Sequence, residues 1–349
     1  MEKTNQPNRI LKRVFFGLLA AFVVLGIVAG ILFRTYMSKF YQNRVEVVAA
    51  PTVSGEPLPT EVPPTPDPFA AALSTDVDYY ETGEIQNVPI YSQDKIDRYI
   101  ISILVVVKNG SIASEEQQTD MIFIISYNQL LMKFSAVGIP RDTLVQIDGY
   151  GWKRINAAYS LGGIGLLTNT INQSFGLDIQ NYVYIGTEEL ARLADNVNGI
   201  PVNLTDAEAA YLNEQLGTSL SAGQQQLTGE QIVAYLLDRT SDNKGDLGRT
   251  EKQLTVIHDT FDYLTDTFDK TFLYPFMAMV GDSVRTNLEY DILAGIAYEM
   301  AVSDDLTFHT LRIPFDDAYT EMSYDGGYAI LPEFEKNRIL VMQELYGKE

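Results

Sequence analysis

Arginine and aspartate recur side by side in two polar segments of this 349-residue sequence, IPRDT at 139–143 and DRTSDNKGDLGRTEKQ at 238–253. Their chemically versatile members are Arg141, Asp142, Arg239, Asp246, Arg249 and Gln253. Guanidinium groups grip phosphate oxygens through paired hydrogen bonds, and the free N–H groups at a helix start also favour anions. The pattern predicts a pocket for an anionic group that is held together with a divalent cation.

Further polar residues stand at the ends of predicted strands. Asp120 begins one apolar run and Asn109 follows the run before it, which makes both of them candidate functional residues. The segment GYGWKRINAAYSLGG (149–163) adds the adjacent cations Lys153 and Arg154 and the only tryptophan. Each feature also has a purely structural interpretation, as an ion pair in a loop, a helix-entry turn or a pair of solvated charges.

The composition excludes several classes of function. The chain carries 25 lysines and arginines against 46 aspartates and glutamates, a net charge of -21, and such a surface repels nucleic-acid phosphate. There is no cysteine, which excludes a thiol nucleophile, a disulfide framework and a thiolate metal site. His258 and His309 are too few for a histidine-based zinc site, and we expect both to be structural.

A membrane anchor is predicted near the N-terminus. Residues 14–33 carry no charge, and as a helix they would span about 30 Å, the thickness of the hydrocarbon core of a bilayer. A cleaved signal peptide or a buried core helix is the alternative. Basic residues before this stretch favour a cytoplasmic tail at 1–13 and an extracytoplasmic location for the rest of the chain.

Residues 34–94 are predicted to form a juxtamembrane and proline-rich linker. The stretch 51–68 holds seven of the 14 prolines and cannot build a packed core. At roughly 3.1 Å per residue it would hold the following domain about 50 Å from the membrane. The alternative is a proline-rich ligand for an SH3-type domain, which requires a cytoplasmic location.

From about residue 95 the pattern is that of an α/β domain. Continuous apolar runs predict strands in a sheet covered on both faces, at 100–108, 120–128, 131–139 and 182–185. Apolar residues at helical spacing predict helices at 165–175, 188–197 and 250–268. A capping box at 228–231 predicts a further helix from about Gly229, and Gly245 and Gly248 predict a tight turn before the helix at 250.

The order of IPRDT, RINAAYSLGG, LTGEQIVAYLLDR and GDLGRTEKQ resembles the LytR-CpsA-Psr family of cell-envelope proteins. The resemblance covers a core at 98–268 and, through RTNLEYDIL and GGYAILPE, a C-terminal part at 269–349, so the extracytoplasmic domain is predicted to span 95–349. It implies an α-β-α sandwich around a mostly buried central sheet. It also implies transfer of a glycopolymer, such as teichoic acid or capsule, from an undecaprenyl-pyrophosphate carrier to peptidoglycan, with Mg²⁺ as the cofactor.

The resemblance also implies roles for individual residues. It implies that arginines bind the pyrophosphate and that aspartates orient them or assist deprotonation of the acceptor hydroxyl. These catalytic residues are Arg141, Asp142, Arg239, Asp246 and Arg249. The substrate-binding group is Arg154, Asn156 and Gln253, and the metal ligands are Asp120 and Asn109. Arg154 stands where the family has lysine, which keeps the charge and changes its geometry.

The sequence departs from the family pattern in its first motif. Asn109 stands where the family has aspartate, and Ser111 stands where it has arginine. Leu237 and Lys252 replace two further arginines. A site with one carboxylate fewer should hold Mg²⁺ more weakly. The alternative to a transferase is therefore a catalytically degenerate member that binds polyprenyl phosphate or the wall as a scaffold.

Overall fold

The structure is a computed structural model that describes residues 45, 47–49, 88–92, 94–112, 119–241, 244–267, 280, 283–289, 292, 295–296 and 307–348. The predicted cytoplasmic tail and transmembrane helix, residues 1–33, lie outside the described residues. Within the described part of the chain, none of the helices has the length and apolar content that crossing a membrane requires.

The described chain forms both strands and helices. The strands are β1 (Val47–Ala49), β2 (Ile90–Ser92), β3 (Ile100–Lys108), β4 (Thr119–Asn128), β5 (Lys133–Gly138), β6 (Leu144–Ile147), β7 (Gly151–Arg154), β8 (Asn181–Gly186), β9 (Ile200–Leu204), β10 (Gly223–Leu227), β11 (Val284–Thr286), β12 (Thr307–Arg312), β13 (Tyr319–Tyr324) and β14 (Gly327–Pro332). The helices with defined bounds are α1 (Asn156–Phe175), α2 (Thr187–Asn196), α3 (Asp206–Leu216), α4 (Gly229–Leu237), α5 (Gly245–Thr267) and α6 (Phe334–Tyr346).

A mixed sheet of six strands lies at the centre, in the order β11-β8-β3-β4-β5-β12. The pairs β3–β8 and β5–β12 are parallel, and the other pairs are antiparallel. The remaining strands form two-stranded sheets, namely β1–β2, β6–β7, β9–β10 and β13–β14. This mixed α/β fold with a central sheet confirms the predicted class.

Helices cover both faces of the sheet, as β5 illustrates. On one face Phe134 lies 6.1 Å from the ring of Phe261 in α5, and Gly138 lies against Leu254 of the same helix. A Cβ at Gly138 would press into α5, so glycine lets this helix approach the end of the strand. On the opposite face Val137 is fully buried in a cluster that includes residues of α1 and α6. Burial on both faces explains why these strands read as continuous apolar runs.

The predicted strands and helices are present, with shifted ends. The third strand begins two residues later than expected, at Lys133, and the capping box does start α4 at Gly229. The helix predicted at 165–175 is the second half of α1, because Gly162 and Gly163 break that helix. The tight turn predicted at 245–248 was wrong, since these residues form the first turn of α5.

Part of the predicted linker at 34–94 is folded. β1, which precedes the proline-rich stretch, pairs in parallel with β2, which follows it. The backbone N–H of Val45 donates to the Tyr182 hydroxyl at 2.9 Å, and that of Val88 donates to the Gly162 carbonyl at the break in α1. Segments on both sides of residues 51–68 therefore belong to the folded body, which extends beyond the predicted boundary at 95.

Candidate anion-binding site

A strand bulge presents the first acidic group of the site. In the β3–β4 ladder Val107 pairs with Met121 and Lys108 pairs with Thr119, which leaves Asp120 as an extra residue. A bulge of this kind re-aims a side chain at the end of a strand. The Asp120 side chain is buried, and it turns towards the loop that follows the neighbouring strand β5.

Three arginines converge on the Asp120 carboxylate. Its Oδ1 atom lies 2.8 Å from Nη1 of Arg141, 3.4 Å from Nη2 of Arg239 and 3.7 Å from Nη1 of Arg249. These arginines come from the loop after β5, the loop after α4 and the first turns of α5. The structure thus brings together four of the predicted residues that are far apart in the sequence.

Two further carboxylates complete the cluster. Asp246 pairs with Arg249 one turn later in α5, and its Oδ2 atom accepts a hydrogen bond from the backbone N–H of Asp142 at 3.2 Å. An acidic side chain in the first turn of a helix also interacts favourably with the helix dipole. The Asp142 carboxylate in turn lies 3.8 Å from the Nε atoms of both Arg141 and Arg154.

The buried ion pair between Asp238 and Lys252 holds the loop that carries Arg239. Asp238 accepts hydrogen bonds from Lys252 at 2.7 Å and from the backbone N–H of Thr240 at 2.8 Å. Gln253, which was expected to bind substrate, is buried and donates its amide to the Leu236 carbonyl at 2.9 Å. Lys252 and Gln253 therefore join α5 to the end of α4 and set the position of Arg239.

Several buried donors in the cluster lack a hydrogen-bond partner among the described residues. They are Nε of Arg141 and both Nε and Nη1 of Arg249. The side-chain oxygen of Asn156, an acceptor at the start of α1, also lacks a partner among the described residues. The backbone N–H of Asn156 donates to the Arg141 carbonyl at 3.4 Å. Buried guanidinium donors cost free energy when they are left unsatisfied. An anion with several oxygens would satisfy them.

The electrostatics of the cluster favour such an anion. Burial, followed by repulsion from Arg249 and Arg141, lowers the pKa of Arg239 to about 10, so Arg239 stays charged at neutral pH. Burial and the Asp246 carboxylate raise the pKa of Asp142 to about 6. Four arginines, counting Arg154, thus face three carboxylates, one of which is easily protonated.

Arg154 is occupied by the C-terminal hairpin. Its Nε atom donates to the Tyr328 carbonyl at 2.8 Å, and its Nη2 atom donates to the Tyr324 carbonyl at 3.1 Å. A side chain at Gly327, in the turn between them, would overlap the guanidinium. Arg154 therefore fastens β13 and β14 to the site while it faces Asp142, which is a positioning role rather than the predicted substrate contact.

The hairpin also brings polar groups that the sequence analysis missed. The backbone N–H of Ile330 donates to the Asp142 carbonyl at 3.0 Å, which aligns β14 with the arginine cluster. Burial, together with the carboxylates of Glu321 and Asp246, raises the pKa of Tyr328. Tyr328 is therefore close to the site. The resemblance includes the segment GGYAILPE, but the sequence does not reveal how this segment pairs with its neighbours, so no role could be predicted for its residues.

The first motif is held by residues of α2. The Asn109 side-chain oxygen accepts from the N–H of Gly110, and Ser111 donates to Glu189 at 3.1 Å. A second oxygen of Glu189 accepts the N–H of Ile112. Asn109 and Ser111, the two positions of the first motif that depart from the family pattern, thus serve to anchor a loop.

The residues present do not form a magnesium site by themselves. Among the described residues no group of three acidic or histidine side chains is arranged to hold a metal. Asp120 already faces three guanidinium groups within 4 Å, and these would repel a divalent cation. The histidines lie elsewhere, with His258 beside Asp262 in α5 and His309 on the edge strand β12.

Comparisons with known proteins agree with this architecture. The LytR_cpsA_psr family model matches residues 73–338. TagU of Oceanobacillus iheyensis, described as a polyisoprenyl-teichoic acid–peptidoglycan teichoic acid transferase, is 31% identical over 182 residues. That match covers 50% of this chain and 55% of the relative, so the chain spans about half the length of TagU.

Two solved structures share the fold. TagT bound to LI-WTA superposes with a TM-score of 0.59 at 19% identity, over 73% of this chain and 93% of the other. TagT with bound octaprenyl pyrophosphate lipid superposes with a TM-score of 0.55 at 16% identity, over 76% and 98%. At these identities the superpositions establish the fold alone.

The Asp238–Lys252 pair yields a prediction for stability. Burial alone would raise the pKa of Asp238, but hydrogen bonds from Lys252, Ser241 and Thr240 lower it to about 2. A depressed carboxylate pKa stabilises the fold above the unfolded-state pKa, and this stability is lost as the pH falls through the folded-state value. We expect Asp238→Asn to lower the free energy of unfolding at pH 7 by about 2 kcal/mol.

Urea unfolding of both proteins between pH 7 and pH 2 measures the effect. The difference should be constant down to about pH 4 and should shrink below it. Asp259→Asn, which removes an exposed carboxylate of α5, is the control and should change stability by less than about 0.5 kcal/mol. A difference between Asp238→Asn and wild type that is independent of pH would contradict the role of the pair.

Proposed function

The chain belongs to the LytR_cpsA_psr family, and on that basis we propose that it transfers a glycopolymer from a polyprenyl-pyrophosphate carrier to peptidoglycan. The proposal places the N-terminus in the cytoplasm, residues 14–33 in the cell membrane and the described domain outside it. The observation that carries the proposal is the cluster of buried arginines with unsatisfied donors around Asp120. Teichoic acid and capsule are both glycopolymers of the proposed class.

The chemistry follows from the charges of the cluster. The acceptor hydroxyl attacks the phosphorus that bears the glycan, a new P–O bond forms, and the anhydride P–O bond to the polyprenyl phosphate breaks. Negative charge grows on the phosphate oxygens in the transition state, and Arg141, Arg239 and Arg249 are positioned to stabilise it. The polyprenyl phosphate leaves with the electron pair of the broken bond.

Asp142 is the candidate base for the acceptor hydroxyl. Its pKa of about 6 means that it is ionised at neutral pH yet able to accept a proton, whereas Asp246 is already paired with Arg249. The Asp142 carboxylate lies beside Arg141, so the accepted proton would arrive next to the reacting phosphate. This arrangement supports Asp142 as the base and Asp246 as the group that orients Arg249.

Mg²⁺ has at most a weak role in this proposal. The family resemblance offers it Asp120 and Asn109, which do not form a magnesium site by themselves. Arg141, Arg239 and Arg249 are the groups that would neutralise phosphate charge. No step above depends on the metal.

The first prediction concerns Arg141. We expect Arg141→Ala to lower the initial rate of the purified full-length chain by about 100-fold, since it removes a charged donor from the growing phosphate charge. The assay measures release of polyprenyl phosphate from a polyprenyl-pyrophosphate-linked glycan, with peptidoglycan as the acceptor. Arg192→Ala, which removes an exposed arginine of α2, is the matched control and should retain wild-type activity. Equal rates for the two variants would exclude the arginine cluster as the site.

The second prediction concerns pH. The rate of the wild-type chain should fall about tenfold per pH unit below pH 6, because a protonated Asp142 cannot accept a further proton. Asp142→Asn should be slow at every pH and should lack this decline, whereas replacement of the exposed Asp148 by Asn should preserve it. A decline that survives in Asp142→Asn would assign the base to another residue.

A second candidate function is a catalytically inactive protein that binds the lipid-linked glycan. It is favoured by the use of Asn109 and Ser111 to anchor a loop. On this alternative the wild-type chain binds the substrate without turnover, and Asn109→Asp combined with Ser111→Arg should create turnover that requires Mg²⁺. Because Ser111 lies against Glu189, Asn109→Asp alone separates the metal effect from a new ion pair at position 111. Wild-type turnover that persists in a metal chelator would exclude this alternative.

A further inference from the structure

A cleft of about 380 Å³ opens between α5 and the end of the edge strand β12. Its volume lies within the range of pockets that bind small molecules. Apolar side chains of Leu254 and Phe315 form part of its wall. The polar side chains that line it are Glu251 and Thr255 of α5, Thr310 and Arg312 of β12, and Asp316 in the loop that follows. We call this pocket the side cleft.

Arg312 is built into the side cleft by several contacts, and its side chain is only 8% exposed. Its Nε atom lies 3.9 Å from Oε1 of Glu251, and its guanidinium also pairs with Asp316 and donates to the Pro314 carbonyl at 2.8 Å. Glu251 pairs in addition with Lys244 at 3.0 Å. Because two carboxylates face two cations, the side cleft favours neither an anion nor a cation.

One face of the C-terminal hairpin carries further polar groups. Successive side chains of a strand point to opposite faces. Met322 pairs with Ala329, and both belong to a buried apolar cluster. Tyr319, Glu321 and Tyr328 therefore lie on the opposite face of the hairpin, which we call the polar hairpin face.

The polar hairpin face connects the arginine cluster with the side cleft. Burial and the carboxylate of Glu321, which accepts a hydrogen bond from the Tyr328 hydroxyl, raise the pKa of Tyr328. Asp246 of the cluster and Tyr319 are also close enough to raise it. At the other end the Arg312 guanidinium lies 5.3 Å from the ring centre of Tyr319. A chain of neighbouring groups thus leads from Asp246 in the cluster to Arg312 in the side cleft.

The two ends of this path are close in the fold. Arg312 pairs with Gly138 in the neighbouring strand β5, and Arg141 lies three residues after Gly138. One strand spacing and three residues of chain span at most about 16 Å between the Cα atoms of Arg312 and Arg141. The backbone N–H of Ile330 in β14 donates to the carbonyl of Asp142, the candidate base, at 3.0 Å. A ligand on the polar hairpin face therefore ends beside Asp142.

The groups along this path suit a saccharide. A sugar ring carries hydroxyl groups around its edge, which donate to carboxylates, and C–H groups on its faces, which pack on aromatic rings. Glu321 and Asp316 provide exposed carboxylates, and Tyr319 and Phe315 provide half-buried rings. A charge-balanced cleft with such acceptors and rings fits a neutral sugar better than a second phosphate.

We propose that the side cleft and the polar hairpin face bind the glycan strand of peptidoglycan that supplies the acceptor hydroxyl. The inference rests on the proposed transfer reaction, because it gives a place to the acceptor of that reaction. It separates the two substrates in space. The pyrophosphate of the donor contacts the arginines, whereas sugar units of the acceptor lie along the hairpin and bring a hydroxyl to Asp142.

A tryptophan that fills the side cleft tests the proposal and leaves its charged groups in place. Thr255 is exposed on α5, and its hydroxyl donates to the Glu251 carbonyl at 3.1 Å. Thr265 is exposed on the same helix and donates in the same way to the Phe261 carbonyl at 3.0 Å. Thr265→Trp is therefore the matched control for Thr255→Trp.

We expect Thr255→Trp to raise the KM for peptidoglycan glycan fragments about tenfold, because the indole occupies the space of a sugar ring. The KM for the polyprenyl-pyrophosphate-linked glycan should keep its wild-type value, and Thr265→Trp should keep both values. The assay measures release of polyprenyl phosphate by the full-length chain while the concentration of each substrate is varied in turn.

Glu321→Gln is a second variant, which keeps the size of an exposed side chain and removes a charged acceptor. We expect it to weaken the binding of soluble glycan fragments about tenfold, measured by calorimetry with the full-length chain in detergent. Glu214→Gln, at an exposed position of α3, is the control and should bind like wild type. Calorimetry requires no turnover, and Glu321→Gln decides the question if the tryptophan variant fails to fold.

Three results would overturn the proposal. Equal KM values for the acceptor in Thr255→Trp and Thr265→Trp mean that the side cleft holds no part of the acceptor. A rise in the KM for the donor instead means that the cleft binds the glycan of the donor. If the wild-type chain shows no turnover, the proposed function fails, and calorimetry decides alone. Equal affinities of wild type, Thr255→Trp and Glu321→Gln for glycan fragments then exclude the site, whereas weaker binding by both variants retains it as a site for wall glycan.

Discussion

The carboxylate of Asp120 is the element on which the geometry of the site depends. Three guanidinium groups from three separate segments would repel one another in a buried environment, and the single Oδ1 atom within 4 Å of all three compensates that repulsion. The bulge in β4 places this atom there, and Gly138 lets α5 come close enough to deliver Arg249. The bulge in β4 is therefore what places the negative charge of Asp120 among the three arginines.

The sequence predicts the parts of this arrangement that local pattern encodes. Strands buried on both faces appear as continuous apolar runs, and the capping box at Thr228 marks the start of α4. The arginines and aspartates of the site stand out because they follow such strands or precede such helices. The start of α5 was missed because glycine weakens helix propensity, whereas the Asp246–Arg249 pair and the acidic first turn offset that weakness.

Features that depend on register could not be read from the sequence. The bulge at Asp120 exists only in the pairing of β3 with β4, and the contact between Arg154 and the carbonyl of Tyr328 joins residues 174 positions apart. The same holds for Ser111 and Glu189, whose contact explains how the first motif keeps its shape without the charges that the family pattern has there. Neutral and backbone groups that bond the Glu189 carboxylate thus hold this loop against α2.

The parallel pairing of β1 with β2 changes the meaning of the proline-rich stretch between them. The connection that contains it leaves β1 at Ala49 and enters β2 at Ile90, which are offset by two residues in the ladder and therefore lie roughly 8 Å apart, so the connection is a closed loop. Lengthening or shortening such a loop alters only its closure entropy, and doubling its length costs about 0.6 kcal/mol. The number of residues between Ala49 and Ile90 therefore sets the closure entropy of this loop and leaves the pairing of β1 with β2 unchanged.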